Sequence, residues 1–232
     1  MSSNSVIVRR TAVAAPALMF GYGVLRFLDG RDGDRGNGPA WDAGHVAFFA
    51  AMVLFGVLAV ALRPIAPAWA RRTGTVAATL ALAGVGCFLW VIAGDLSEGF
   101  REAAPLPEAL RTGGAALFPL GMLMLLGLLV AARRAPVWSP LLFGAGIAAI
   151  TVNLDLLPIA SLVILAALAP LARRDDAADR RDDAHARGGD VAGRGGDVAG
   201  RGGRHAARRY ENNAPVREVS REAVRAHFKA AI

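Results

Sequence analysis

The chain has 232 residues, of which 54% are hydrophobic and 19% charged, with a mean hydropathy of +0.40. Its net charge of +7 divides into +3 from residues 1–172 (12 Arg against 9 acids) and +4 from residues 173–232 (13 Arg and 1 Lys against 10 acids). The basic balance is therefore spread along the chain and is no nucleic-acid footprint by itself. A single cysteine, Cys87, excludes an intrachain disulfide and any cysteine metal cluster, and its place beside Gly84 and Gly86 marks it as a small packing residue.

From Thr11 onward the sequence is a series of long apolar runs separated by short charged or proline-bearing segments. About 18 uncharged residues suffice, at 1.5 Å per residue, to cross a ~30 Å hydrocarbon layer. The first run, 11–28, contains Pro16, Gly21 and Gly23 and is read as a retained span rather than a cleaved leader, since further apolar runs follow it. A turn-rich loop from Asp29 to Pro39 leads to the second, Trp41 to Leu62, which stops at Arg63-Pro64. The third, Gly74 to Gly94, holds no charge, and the fourth, about 113–132, ends at Arg133-Arg134. Residues 137–171 would exceed 50 Å as one helix, and they break naturally at Asn153-Leu154-Asp155 with Pro158 in a new first turn, giving two short spans near 138–152 and 156–171.

The predicted fold class is thus all-α: an integral membrane bundle of six transmembrane helices over 1–172, with a disordered C-terminal tail. In that arrangement Arg9, Arg10, Arg63, Arg71, Arg72, Arg133, Arg134, Arg173 and Arg174 share one side. Arg26, Arg31, Arg35, Arg101, Arg111 and every acid of the bundle share the other. Nine basic residues against five place both termini in the cytoplasm of a bacterial cell, across its plasma membrane. Trp41 and Trp90 then fall near the outer surface, Trp69 and Trp138 near the inner one, as amphipathic rings prefer.

Composition changes at 173. Residues 173–209 are Arg, Asp, Gly and Ala apart from two valines and two histidines, and contain a tandem RGGDVAG repeat starting at Arg187 and Arg194. Without large apolar side chains the stretch cannot bury a core, and without aromatic residues it lacks stacking platforms for RNA, so it reads as a disordered linker and no nucleic-acid partner is expected. Residues 210–232 carry helical periodicity. Arg217, Arg221, Arg225 and Lys229 recur every four residues, a basic ridge suited to anionic lipid if the segment folds as an interfacial helix.

The polar residues able to carry chemistry gather at the outer ends of the spans. Asp42 and His45 lie three apart at the start of the second span; Asp95, Glu98 and Glu102 share one face if the third helix continues through them; Asn153 and Asp155 stand at the fifth-to-sixth turn. His45, Asp42, Asp95, Glu98 and Asp155 are the candidate site residues. An imidazole among carboxylates can relay protons, hold a hard cation or act as acid and base on a lipid or isoprenoid. Each residue also has a structural reading: Asp42 as a first-turn acid, Asp95, Glu98 and Glu102 as a solvated loop, Asp155 as a turn residue, His45 as a hydrogen-bonded ring. No HExxH, Walker, GxSxG or paired-histidine haem motif is present and no span holds a lysine, so neither a metal nor a cofactor is expected.

Leu28-Asp29-Gly30 ahead of the glycine-rich loop, followed by Trp41-Asp42-Ala43-Gly44-His45 opening an apolar span, resembles small multi-pass membrane proteins of actinobacteria whose function is not established. The likeness covers about the first third of the chain. It implies a compact multi-pass protein and brings no catalytic residues. The function expected is a non-enzymatic binding or accessory membrane component with an outer polar cluster. The alternatives are a membrane-embedded acid–base enzyme on a lipid or isoprenoid and a subunit of a transport or envelope complex.

Overall fold

Backbone groups in hydrocarbon must satisfy one another within their own segment, so uncharged runs of this length fold as helices. The computed structural model describes residues 3–32, 36 and 38–173. The linker expected beyond Arg173 and the basic helix with Arg217, Arg221, Arg225 and Lys229 lie outside the described residues. Among the described residues there is no strand. Long helices are α1 (Ser3–Asp29), α2 (Pro39–Leu62), α3 (Arg71–Leu96), α6 (Leu117–Ala131), α7 (Trp138–Val152) and α8 (157–173). The short α4 (Glu98–Ala103) and α5 (Glu108–Gly113) lie between α3 and α6. Five helical stretches are long and apolar enough to cross a membrane: Asn4–Asp29, Pro39–Ile65, Ala68–Leu96, Gly114–Ala131 and Leu154–Arg173. The fifth expected span, Trp138–Val152, is a shorter apolar helix of 15 residues.

The helix boundaries have local causes. Gly38 adopts φ 89°, a backbone state costly for any residue with a Cβ, and Pro39 then starts α2 where its missing N–H costs nothing. At the other end of the bundle, α6 closes with Arg133 in the left-handed region (φ 55°), Arg133 N–H donating to Val130 O and Arg134 N–H to Leu129 O. Those are the two bonds of a Schellman cap, with an arginine where glycine is usual. The predicted break at Asn153 is present: its backbone is extended (φ −153°, ψ 119°), its Oδ1 accepts from Asp155 N–H at 2.8 Å, and one 3₁₀ turn leads into α8.

Packing joins the long helices in a closed order. α1 lies along α2, α2 along α3, α3 along α6 and α6 along α7. α8 closes the ring: a Cβ at Gly146 of α7 would stand 2.7 Å from Ile164 Cγ1, and one at Gly23 of α1 would stand 2.8 Å from Leu157 Cδ2. The tightest seam is α3 with α6. A Cβ on Gly84 would collide with the backbone N of Phe118, and one on Gly121 with Ala81 N and Ala77 O. Lipid tails are as apolar as leucine, so such contacts gain by close van der Waals approach rather than by dehydration. Phe118 occupies the centre, tilted or edge-on to Phe55 (5.3 Å), Phe88 (6.1 Å) and Phe143 (6.2 Å) between ring centroids. Cys87 packs opposite Gly114.

The α3–α6 seam generates a paired test. Gly84→Ala should destabilise the protein in detergent by about 1–3 kcal/mol, since the new methyl meets backbone that cannot move aside. Gly86→Ala, two residues away with nothing within 4 Å of its Cβ, should be neutral or slightly stabilising. Thermal unfolding followed by circular dichroism reads both, and equal effects would mean that the seam is not close-packed.

Candidate functional site

The first turn of α2 sets the site. His45 lies one turn below Trp41, and its Nδ1 is 3.0 Å from the Trp41 carbonyl oxygen. A carbonyl can only accept, so Nδ1 carries a proton in this contact. The ring is 3% exposed. Trp41 covers one side at 4.0 Å between centroids, and Tyr22 of α1 meets it edge-on at 5.3 Å. Gly44 makes that approach feasible, for a Cβ there would stand 3.2 Å from Tyr22 Cδ2.

The other nitrogen, Nε2, is 3.7 Å from Asp95 Oδ2 near the end of α3. With Nδ1 already protonated, the contact is attractive only when a proton also lies between Nε2 and the carboxylate. Tyr22 shares a side-chain hydrogen bond with Arg26 one turn along α1 and lies within electrostatic range of Asp95. The Nε of Arg26 is buried without a hydrogen-bond partner. Tyr22 and Arg26 from α1, Trp41 and His45 from α2, and Asp95 from α3 therefore form one polar patch across three helices.

Asp95 has a second face. About a third of its side chain (35%) is exposed. It lines a pocket of about 290 Å³ with Trp90, Phe100, Arg101, Pro105 and Arg111. Trp90 Nε1 donates to Ala104 O at 2.9 Å and fastens the α4–α5 segment over the end of α3. Arg101 and Arg111 pair within their own short helices, with Glu98 at 3.5 Å and Glu108 at 2.8 Å. His45 does not line the pocket; Asp95 alone connects it to the buried ring.

The other sequence candidates go elsewhere. The premise that α3 continues through Asp95, Glu98 and Glu102 on one face is overturned. Ser97 is extended (φ −144°, ψ 108°), and its hydroxyl caps α4 by accepting from Phe100 N–H at 3.3 Å, so the chain turns before Glu98. Glu98 and Glu102 are exposed on α4. Asp42 is exposed in the first turn of α2, where an acid suits the helix dipole, and no hydrogen bond or ion pair joins it to His45 among the described residues. Asp155 is exposed in the turn before α8, whose first residues pack on Gly23 of α1. Among the described residues no group of three His, Cys, Asp or Glu side chains comes together in a way that could hold a metal ion.

Sequence reasoning did not single out Tyr22, although a phenol within an apolar run needs a polar partner and Arg26 follows at i+4. Comparisons with protein-family models, curated proteins and solved structures found no match.

A double-mutant cycle tests the link between His45 and Asp95. His45→Ala and Asp95→Ala should each destabilise the detergent-solubilised protein, and the double variant should cost less than the sum. The expected coupling is about 0.5–3 kcal/mol, measured by thermal unfolding. Strict additivity would show that the two side chains do not hold α2 to α3.

Proposed function

We propose that this chain is a six-span plasma-membrane protein with both ends in the cytoplasm, acting as a non-enzymatic binding or accessory component through its outer polar end. The reading rests above all on the division of labour around Asp95. The only histidine of the bundle is sealed under Trp41 and Tyr22, where no substrate reaches it, whereas its carboxylate partner opens on a pocket. A general acid or base must come within hydrogen-bond reach of the group it serves. Here the imidazole is spent on Trp41 O and Asp95, which suits a residue that positions a binding carboxylate. The pocket, near the ~300 Å³ lower bound of ligand sites, suits a small polar group or a partner side chain, with Asp95, Arg101 and Arg111 offering both signs of charge.

The basic asymmetry favours the orientation. Arg63, Arg71, Arg72, Arg133 and Arg134 lie at the end of the bundle where α2 and α6 finish and α3 and α7 begin, and the described acids lie at the other. Beside the five helices long and apolar enough to cross, the six-span reading takes the shorter apolar helix α7 as the remaining crossing.

Two measurements test this reading. In a Cys87→Ser background, a membrane-impermeant maleimide applied to intact cells should label Gly99→Cys, in open space on α4, and should label Arg72→Cys only after permeabilisation. The reverse pattern would invert the topology. Carbethoxylation of the folded protein, mapped by peptide mass spectrometry, should spare His45 until the protein is unfolded. Rapid modification of His45 in the native state would instead support the catalytic alternative.

A further inference from the structure

A second concavity lies at the opposite, arginine-bearing end. It is a groove of about 860 Å³ against the outer side of α2, well within the ~300–1,000 Å³ range of ligand sites. Its walls at hydrocarbon depth are Val53, Val57 and Val60 of α2 with Leu82, Val85 and Leu89 of α3. Gly56 lies between them and leaves the floor low. At its end stand Arg63 and Arg71.

These two arginines are set, not scattered. Arg63 Nε donates to Thr75 Oγ1 at 3.1 Å, and Thr75 Oγ1 donates to Arg71 O at 3.0 Å, tying the α2–α3 connection to the first turn of α3. Among the described residues no carboxylate forms an ion pair with either guanidinium. From Arg71 to Leu89 the groove follows α3 for roughly 27 Å, close to the thickness of a hydrocarbon layer. An apolar trough running down from paired cations at headgroup level has the shape and charge of one amphiphile: acyl chain below, anion above.

We propose that this groove is a site for a single anionic glycerophospholipid, its phosphate on Arg63 and Arg71 and an acyl chain along Val53, Val57 and Leu82. Arginine matches phosphate through paired N–H donors, and a chain lying against fixed valines replaces the mobile lipid that would otherwise cover them. The site is separate from the Asp95 pocket at the other end and does not rest on the six-span orientation. That orientation decides only which leaflet supplies the lipid.

Native mass spectrometry of the full-length protein, delipidated in detergent and titrated with phosphatidylglycerol or phosphatidylcholine, tests the proposal. The wild type should retain one phosphatidylglycerol at least tenfold more tightly than phosphatidylcholine. Arg63→Gln with Arg71→Gln should remove that preference. Arg72→Gln, which removes one positive charge beside Arg71 at an exposed residue outside the groove, should leave it intact. Val57→Trp, which fills the trough at a side chain already 40% exposed, should weaken both lipids. Helix content by circular dichroism identifies any variant that fails to fold, and Val60→Trp then takes the place of Val57→Trp. Equal retention of the two lipids, equal loss with Arg72→Gln, or displacement of the lipid by millimolar inorganic phosphate alone would overturn the proposal. The first outcome would leave a groove indifferent to the headgroup, the second only a diffuse charge effect, and the third a bare anion site.

Discussion

The backbones of α3 and α6 meet where neither has a side chain to spare. With Gly84 against Phe118 and Gly121 against Ala77 and Ala81, the two helices lie nearer than any pair of larger residues would allow. That approach places Phe118 among Phe55, Phe88 and Phe143, so one ring gathers contacts from α2, α3 and α7. It also fixes where the α3–α6 connection must run. With both helix ends held close, residues 97–113 fold back as two short helices over the end of α3 and form the wall of the pocket that Asp95 enters.

The two ends of the bundle have opposite chemistry. One end joins its connections with arginines and carbonyls: Arg134 donates to Ile65 O at 3.0 Å, and Arg63 reaches Thr75. The other end holds the carboxylates, and there an imidazole is shared between a backbone carbonyl and Asp95. Burying a polar ring between helices is costly unless its nitrogens are engaged. Nδ1 is engaged within α2 itself, and the 3.7 Å approach of Nε2 to Asp95 Oδ2 makes the other nitrogen a constraint between α2 and α3. The ring of Tyr22, edge-on to His45 at 5.3 Å between centroids, extends the constraint to α1.

The membrane helices were legible because their signal is length without charge, as in Gly74 to Gly94, and the break at Asn153 was legible because Asn, Asp and Pro158 combine turn and start chemistry. The contacts between helices were not. In water an amphipathic stripe reveals the buried face, but in lipid both faces are apolar. The small residues of α7 illustrate the loss: Gly146 is packed on α8, whereas Ala148 of the same run is exposed. The turn at Ser97 was hidden for a different reason. Serine is tolerated in a helix and also favoured as its cap, and only the tertiary fastening of Trp90 to Ala104 shows that the cap prevails. Pairing His45 with Asp95 rather than Asp42 required the relative depth of α2 and α3, which periodicity does not contain.

The brevity of α7 has a consequence beyond the molecule itself. Its 15 residues reach about 22 Å, well short of a ~30 Å hydrocarbon layer. In the six-span arrangement the bilayer beside Trp138–Val152 must thin to meet it, compressing the annular lipids on that flank alone. Elastic deformation of this kind is relieved when two deformed rims merge. The flank of α7, the shortest span of that arrangement, would therefore be the side on which copies of the protein, or another short-helix neighbour, are drawn together by the membrane with no adhesive surface between them.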